Sequence, residues 1–154
     1  MPAPFPHRYE VSFQAAGPGG WLSSGTRCPF EGGAPPEFDG RDDVWSPEHL
    51  LLSALALCHF TTFQALARRA RLDVIGYRSE AEGELSKTPE GLAFTKLALD
   101  VVVEVKPGDA GRVEELVGAA KKHCLVANTL RVPVLLRARV EPVAQDEAAP
   151  VGAR

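Results

Sequence analysis

Two cysteines in this chain each have a histidine beside them, which is an arrangement that could support thiol redox chemistry. Cys58 precedes His59 at the end of an apolar run, and Cys124 follows His123. A peroxide-reducing thiol enzyme needs an attacking thiolate, a cation or donor that lowers its pKa, and a second thiol that resolves the sulfenic acid. Buried cysteines are more often inert small apolar groups, so two unrelated core thiols remain the alternative.

Glu48 precedes Cys58 by ten residues on the same predicted helix. That separation is about 15 Å and close to three turns, so the two side chains share a face but cannot touch within one helix. The carboxylate could serve a neighbouring site or a symmetry-related helix. It could equally stabilise only the first helical turn through the helix dipole.

The two Cys-His neighbours, Cys58-His59 and His123-Cys124, also contain the ligand types of a zinc site. Adjacent residues on a helix point about 100° apart, and metal-binding pairs use wider spacings. We therefore expect no metal, with both histidines as local hydrogen-bonding or exposed residues. Cys28 has no evident partner and is interpreted as incidental.

Length and charge limit the class of protein. The 154 residues suit one domain, which we predict over residues 1–141, followed by a disordered tail over 142–154. A net charge of -3 gives no basic patch for nucleic acid. The most apolar stretch, Leu50–Leu57, is too short to span a bilayer, and no secretory signal precedes the domain, so we expect a cytoplasmic protein without membrane contact. In that compartment a structural disulfide is not expected.

Hydrophobic periodicity predicts five strands and two helices. Ser46 and Pro47 begin a central helix that becomes polar near residues 68–71. The other predicted elements are strands at 9–14 and 21–24, a loop over 28–43, a hairpin of 75–85 and 94–105, a helix over 110–123 and a strand over 132–140.

This order predicts an α+β fold with antiparallel sheets around a long buried central helix. Apolar residues cover nearly every side of that helix, whereas one sheet can cover only one side. We therefore expect a homodimer in which a second copy covers the remainder.

The chain resembles the OsmC/Ohr family of thiol-dependent organic hydroperoxide reductases. Three segments carry the resemblance, the helix start Ser46–Leu51 (SPEHLL), Ala54–Cys58 (ALALC) and Ala119–Asn128 (AAKKHCLVAN). Serine replaces the asparagine of the family's helix start, and the spacing from Glu48 to Cys58 matches. The second-cysteine motif keeps its cysteine and asparagine but lacks its proline and serine. The resemblance extends from about residue 9 to 140.

The resemblance implies an OsmC-like fold, an intertwined homodimer with two interface sites, and no metal or cofactor. Cys58 would attack an organic hydroperoxide and become a sulfenic acid, and Cys124 would resolve it as a disulfide. Glu48 would hold an arginine against Cys58. An external dithiol, such as a dihydrolipoyl group, would reduce the disulfide. Leu55, Phe60 and Phe63 would favour apolar substrates.

The arginine is where the chain departs from the family pattern. One branch carries it in the first hairpin turn, which here reads GPGGW over residues 17–21, and another carries it before a Phe-x-Gly motif, where this chain has Glu37. Arg41 is the first candidate and Arg27 the second, although Asp42 and Asp43 could occupy Arg41 as a surface pair. The missing arginine favours a second function, a non-enzymatic protein that binds a small apolar ligand, and a thiol redox sensor is a third alternative.

Overall fold

The computed structural model describes residues 5–143, and the predicted tail over 142–154 lies almost wholly outside them. The chain forms two compact units, one ending at Leu51 and one beginning at Leu52. The single domain over 1–141 stays a prediction.

The first unit contains a three-stranded antiparallel sheet in the order β1-β2-β3. The strands are β1 (Ser12–Ala16), β2 (Gly19–Ser23) and β3 (Phe30–Gly33). A two-residue turn joins β1 to β2, and its first residue, Gly17, has a φ of 62° that favours glycine. The predicted first hairpin is present with shifted bounds.

The loop predicted over residues 28–43 is only partly a loop. It contains β3 and a short 3₁₀ helix, Pro36–Phe38. β3 has four residues, two of them glycine, so it lacks the apolar alternation by which a strand is predicted.

Helix α1 (Pro47–Arg69) begins where the Ser46-Pro47 pair predicts, and the boundary between the two units falls within it. The Ser46 hydroxyl accepts a hydrogen bond from the backbone N–H of His49 at 3.3 Å, which caps the first turn. Arg68 and Arg69 in the last turn suit the negative end of the helix dipole.

The chain by itself buries one face of α1. The buried side chains recur every fourth residue, at Leu55, His59, Phe63 and Ala67. Leu57, on another face, is 62% exposed. The predicted burial on all sides therefore needs a covering surface that one chain does not supply, and the homodimer stays a prediction.

As a whole, α1 is long and apolar enough to cross a membrane by length and composition alone. The shortness of the Leu50–Leu57 run is therefore no argument against a membrane span. The core helix of a soluble protein passes the same test, and the buried residues Leu55, Phe63 and Ala67 of α1 belong to the hydrophobic core of the second unit.

The second unit contains a three-stranded sheet in the order β4-β5-β6, which confirms the α+β class. Its strands are β4 (Val74–Thr88), β5 (Gly91–Val105) and β6 (Val134–Pro142). β4 and β5 form the predicted long antiparallel hairpin. β6, however, runs parallel to β5, so the expectation of antiparallel strands is wrong there.

The helices between β5 and β6 explain this parallel pairing. α2 (Ala110–His123) and the short α3 (Leu125–Thr129) carry the chain back to the start of the sheet, as a parallel crossover requires. α2 packs Val113, Val117 and Ala120 into the core. Alternate residues of β5 meet them there, and they are Leu97, Leu99, Val101, Val103 and Val105.

Candidate active site

Cys58 and Cys124 are neighbours in the second unit. Cys58 is partly buried on α1, whereas Cys124 is 1% exposed at the end of α2, and both are free thiols. Burial raises the pKa of the Cys124 thiol, and the nearby side chain of Cys58 raises that pKa further. The structure thus brings together the two thiols that the sequence singles out.

Cys124 is held at the junction of two helices. Its backbone N–H donates to the carbonyl of Lys121 at 3.3 Å, and its Sγ accepts from the N–H of Ala127 at 3.5 Å. The amide of Asn128 donates to the carbonyl of Lys122 at 3.0 Å and so ties α3 to the end of α2. The asparagine retained in the second-cysteine motif therefore supports the turn on which Cys124 lies.

His59, next to Cys58, is a buried hydrogen-bonding residue. The sequence analysis expected it to be either a hydrogen-bonding or an exposed residue, and the first of these is correct. Its side chain is 1% exposed, with Nδ1 2.7 Å from the Tyr77 hydroxyl and Nε2 3.2 Å from the Val117 carbonyl oxygen. Burial lowers the pKa of His59, so the ring is neutral at pH 7 and carries one proton. A carbonyl can only accept, which places that proton on Nε2 and makes the Tyr77 hydroxyl the donor to Nδ1.

An aromatic cluster surrounds Tyr77. Its ring centroid lies 5.0 Å from that of Phe60 and 5.5 Å from that of Phe63. These three residues also line a cavity of about 460 Å³ in the second unit. Leu55 is buried in the same core as Phe63 but, unlike Phe60 and Phe63, does not line this cavity.

In the first unit, the carboxylate of Glu48 has a buried oxygen, Oε2, with no hydrogen-bond partner among the described residues. A buried carboxylate oxygen without a donor is costly, so such groups are normally paired. Glu48 lies in the first turn of α1, where the helix dipole favours its charge.

Both candidate arginines are engaged elsewhere. Arg41 donates to Asp43 through Nε at 2.8 Å and Nη2 at 2.7 Å, and to Glu31 through Nη1 at 2.6 Å. The bond to Asp43 is part of the surface pairing that the sequence analysis gave as an alternative, whereas Glu31 takes the place expected for Asp42. Arg27 bonds to Ser24. Within the part of the chain that the structure describes, no hydrogen bond or ion pair joins either arginine to Glu48.

The model of the OsmC-like protein family matches residues 40–137, which include Arg41, Glu48 and both cysteines. The chain belongs to the OsmC-like family. The resemblance noted from the two cysteine motifs is thereby confirmed.

Sequence relatives of this OsmC-like chain include one named as an enzyme. Peroxiredoxin OsmC of Escherichia coli (strain K12) is 28% identical over 99 residues, covering 64% of this chain and 68% of the relative. The uncharacterized protein YmaD of Bacillus subtilis (strain 168) is 25% identical over 107 residues, covering 67% and 71%.

Solved structures confirm the OsmC-like fold. An OsmC-like protein of unknown function from Vibrio cholerae superposes with a TM-score of 0.78 at 19% identity, covering 86% of this chain and 99% of that one. The organic hydroperoxide resistance protein OhrB of Bacillus subtilis gives 0.61 at 21% identity, covering 88% and 98%.

Two further members of this OsmC-like site were not found from the sequence. Tyr77 and the carbonyl of Val117 bond to His59 from 18 and 58 residues away. The sequence placed Tyr77 on a strand and Val117 on a helix, but no local pattern indicates that one histidine reaches both. Among the described residues, no group of three His, Cys, Asp or Glu side chains could hold a metal ion.

Proposed function

We propose that this OsmC-like protein is a thiol peroxidase that reduces organic hydroperoxides to alcohols. The pairing of Cys58 with Cys124 carries the proposal. The Cys58 thiolate attacks the terminal peroxide oxygen, the O–O bond breaks, and the leaving alkoxide takes a proton to become an alcohol. The resulting sulfenic acid condenses with the Cys124 thiol and releases water. An external dithiol, such as a dihydrolipoyl group, then reduces the disulfide.

The unequal surroundings of the two thiols support unequal roles. Cys58 is partly exposed and Cys124 is buried, and burial raises the pKa of Cys124. A thiol held in its protonated form competes poorly for peroxide, because the thiolate is the nucleophile. This supports Cys58 as the attacking residue and Cys124 as the resolving one. The names of the Escherichia coli relative and of OhrB point to the same class of chemistry.

A partly aromatic cavity lies beside the helix that carries Cys58. Phe60 follows Cys58 by two residues, and it lines the 460 Å³ cavity together with Phe63 and Tyr77. A cavity of that size and lining is within the range of small-molecule sites. Neither cysteine lines this cavity, so the choice of an organic hydroperoxide over hydrogen peroxide is supported by the name of the hydroperoxide-resistance relative OhrB and not by the cavity.

The arginine that activates Cys58 is proposed to be Arg41, with Arg27 second. Arg41 would have to exchange Asp43 and Glu31 for Glu48. Exposed ion pairs contribute only about 0–1 kcal/mol, so they are a small barrier to that exchange. The buried, unpaired Oε2 of Glu48 is the acceptor that an arginine would satisfy. The proposed homodimer, covering the open apolar side of α1, would enclose this site.

Consumption of cumene hydroperoxide with dihydrolipoamide tests the proposal. We expect turnover in the wild type and in Cys28→Ser, none in Cys58→Ser, and a single unrecycled turnover in Cys124→Ser. Arg41→Ala should lower the rate of Cys58 oxidation, with Arg131→Ala as the matched surface control. Static light scattering during gel filtration measures the oligomeric state. Absence of turnover with any dithiol would refute the peroxidase.

One observation favours a second candidate, a non-enzymatic protein that binds a small apolar ligand. Arg41 is occupied by two carboxylates, and a cavity lined in part by Phe60, Phe63 and Tyr77 is present without it. This function predicts saturable binding of an apolar fluorophore that Phe60→Ala weakens and Cys58→Ser leaves unchanged, together with no peroxide consumption.

A further inference from the structure

We propose that His59 is a positioning residue for the redox pair, because its imidazole fixes the helix that carries Cys58 against the helix that ends at Cys124. The inference rests on the proposed function and deepens it. It concerns the second chemical step, the formation of the disulfide, rather than the attack on peroxide.

His59 connects the two helices that carry Cys58 and Cys124. It follows Cys58 directly on α1, and its side chain points about 100° away from that of Cys58. Nε2 bonds the carbonyl of Val117 in α2, two turns before Cys124, and Nδ1 bonds Tyr77 on β4. Among the described residues, His59 is the residue of α1 whose side chain forms hydrogen bonds with both the sheet and α2.

The hydrogen bonds of His59 leave it little freedom. Its side chain is 1% exposed, and both ring nitrogens have partners. Tyr77 is itself packed against Phe60 and Phe63. Apolar contacts alone resist separation of α1 from α2 but are not directional, whereas a hydrogen bond fixes how one helix is rotated against the other.

Disulfide formation depends strongly on that rotation. The bond requires the two Cα atoms to approach within about 4.4–6.8 Å and the Cβ atoms within about 3.5–4.5 Å. A misplacement of about 1 Å can slow a reaction between two held groups about a hundredfold. Release of α1 from α2 should therefore slow resolution, while the attack of Cys58 on peroxide keeps its rate.

The first test measures positioning without peroxide. Each reduced variant, on a Cys28→Ser background, is equilibrated with glutathione buffers, in which protein dithiol and oxidised glutathione give protein disulfide and two reduced glutathiones. We expect His59→Leu to lower the effective concentration of the Cys58–Cys124 pair at least about tenfold. His59→Gln, which keeps one donor and one acceptor, should recover most of it, and the exposed His123→Leu should leave it unchanged.

The second test separates the two steps of turnover. After one equivalent of cumene hydroperoxide, mass spectrometry with dimedone measures Cys58 sulfenic acid against disulfide. His59→Leu should form sulfenic acid within about twofold of the wild-type rate but accumulate it about tenfold. Tyr77→Phe removes one of the two hydrogen bonds without changing core volume, and it replaces His59→Leu if that variant does not fold.

The outcomes distinguish the two proposals. A wild type that forms the disulfide with oxidised glutathione but consumes no peroxide overturns the peroxidase and leaves the positioning result to stand. If the effective concentration of the Cys58–Cys124 pair in both His59→Leu and Tyr77→Phe equals that of the wild type, the positioning role of His59 is overturned. A wild type in which oxidised glutathione forms no Cys58–Cys124 disulfide overturns it as well.

Discussion

Removal of the Tyr77 hydroxyl changes the free energy of unfolding by an amount that the structure allows to be worked out. Tyr77→Phe keeps the ring against Phe60 and Phe63 but removes the 2.7 Å hydrogen bond to Nδ1 of His59. Because His59 is 1% exposed, no water replaces the lost donor. A buried acceptor left unpaired costs about 1–3 kcal/mol, so we expect a destabilisation of about 2 kcal/mol.

A double-mutant cycle with His59→Leu isolates this hydrogen bond. Once Leu replaces His59, no acceptor is left unpaired, so Tyr77→Phe should then cost almost nothing. The expected coupling energy between the two positions is about 1–2 kcal/mol. The chain has one other tyrosine, Tyr9, which is 90% exposed. Tyr9→Phe is therefore the matched control, with an expected effect within about 0.5 kcal/mol.

Urea denaturation with excess dithiol provides the assay. The reductant keeps both cysteines as thiols, and all variants are compared at one protomer concentration, since dimerisation would make the transition concentration-dependent. For a chain of this length, 2 kcal/mol corresponds to a fall of about 4–8 °C in Tm. A Tyr77→Phe effect no larger than that of Tyr9→Phe, with no coupling to His59, would falsify the inferred bond and the neutral tautomer of His59.

Three further predictions concern the second unit. Gly83→Ala should destabilise by about 1–3 kcal/mol, because its Cβ would lie 2.5 Å from the Phe94 ring, whereas Gly118→Ala inside α2 meets nothing within 4 Å and should stabilise by up to about 1 kcal/mol; urea denaturation measures both. Burial raises the pKa of Tyr77 to about 12, from 10.0, so the neutral phenol stabilises the fold below about pH 10. Partial exposure reduces that contribution to about 1–2 kcal/mol, and it should be lost as the pH rises toward 12. The loss is measured as the change with pH in the difference in unfolding free energy between wild type and Tyr77→Phe. Iodoacetamide at pH 8 should leave Cys124 unmodified in the native protein and modify it in urea, because the thiol is 1% exposed and its pKa is raised; native-state modification at the unfolded rate would contradict this.

Much of the fold could be predicted because its signals are local. The Ser46-Pro47 pair fixes the start of α1, since a capping hydroxyl and a proline act within one turn. The β4–β5 hairpin follows from two alternating runs and a turn. β3 was missed because its four residues include two glycines. The direction of β6 was missed because parallel pairing depends on how α2 returns the chain, which periodicity does not indicate.

The candidate site divides in the same way. Cys58, Glu48 and Cys124 could be named because their spacings match a family motif. The bonds of His59 to Tyr77 and Val117 could not, because residues 18 and 58 positions away meet it only after the sheet and α2 have packed. The arginine remains the least predictable member. Its partners depend on competition among nearby carboxylates, and in the structure Asp43 and Glu31 hold Arg41.

The positions of Cys58 and Cys124 in the sequence have a consequence for the stability of the protein during turnover. They flank the whole β4–β5 hairpin and α2, so a bond between them would close a loop of roughly 66 residues. Chain-entropy estimates give such a closure about 4 kcal/mol of stability over the open chain. If the two thiols join as proposed, each cycle would tighten the second unit on oxidation and loosen it on reduction. The reduced form, which reacts with the next peroxide, would then also unfold and be proteolysed most readily. The protein would therefore be degraded and replaced fastest in a cell that keeps it reduced.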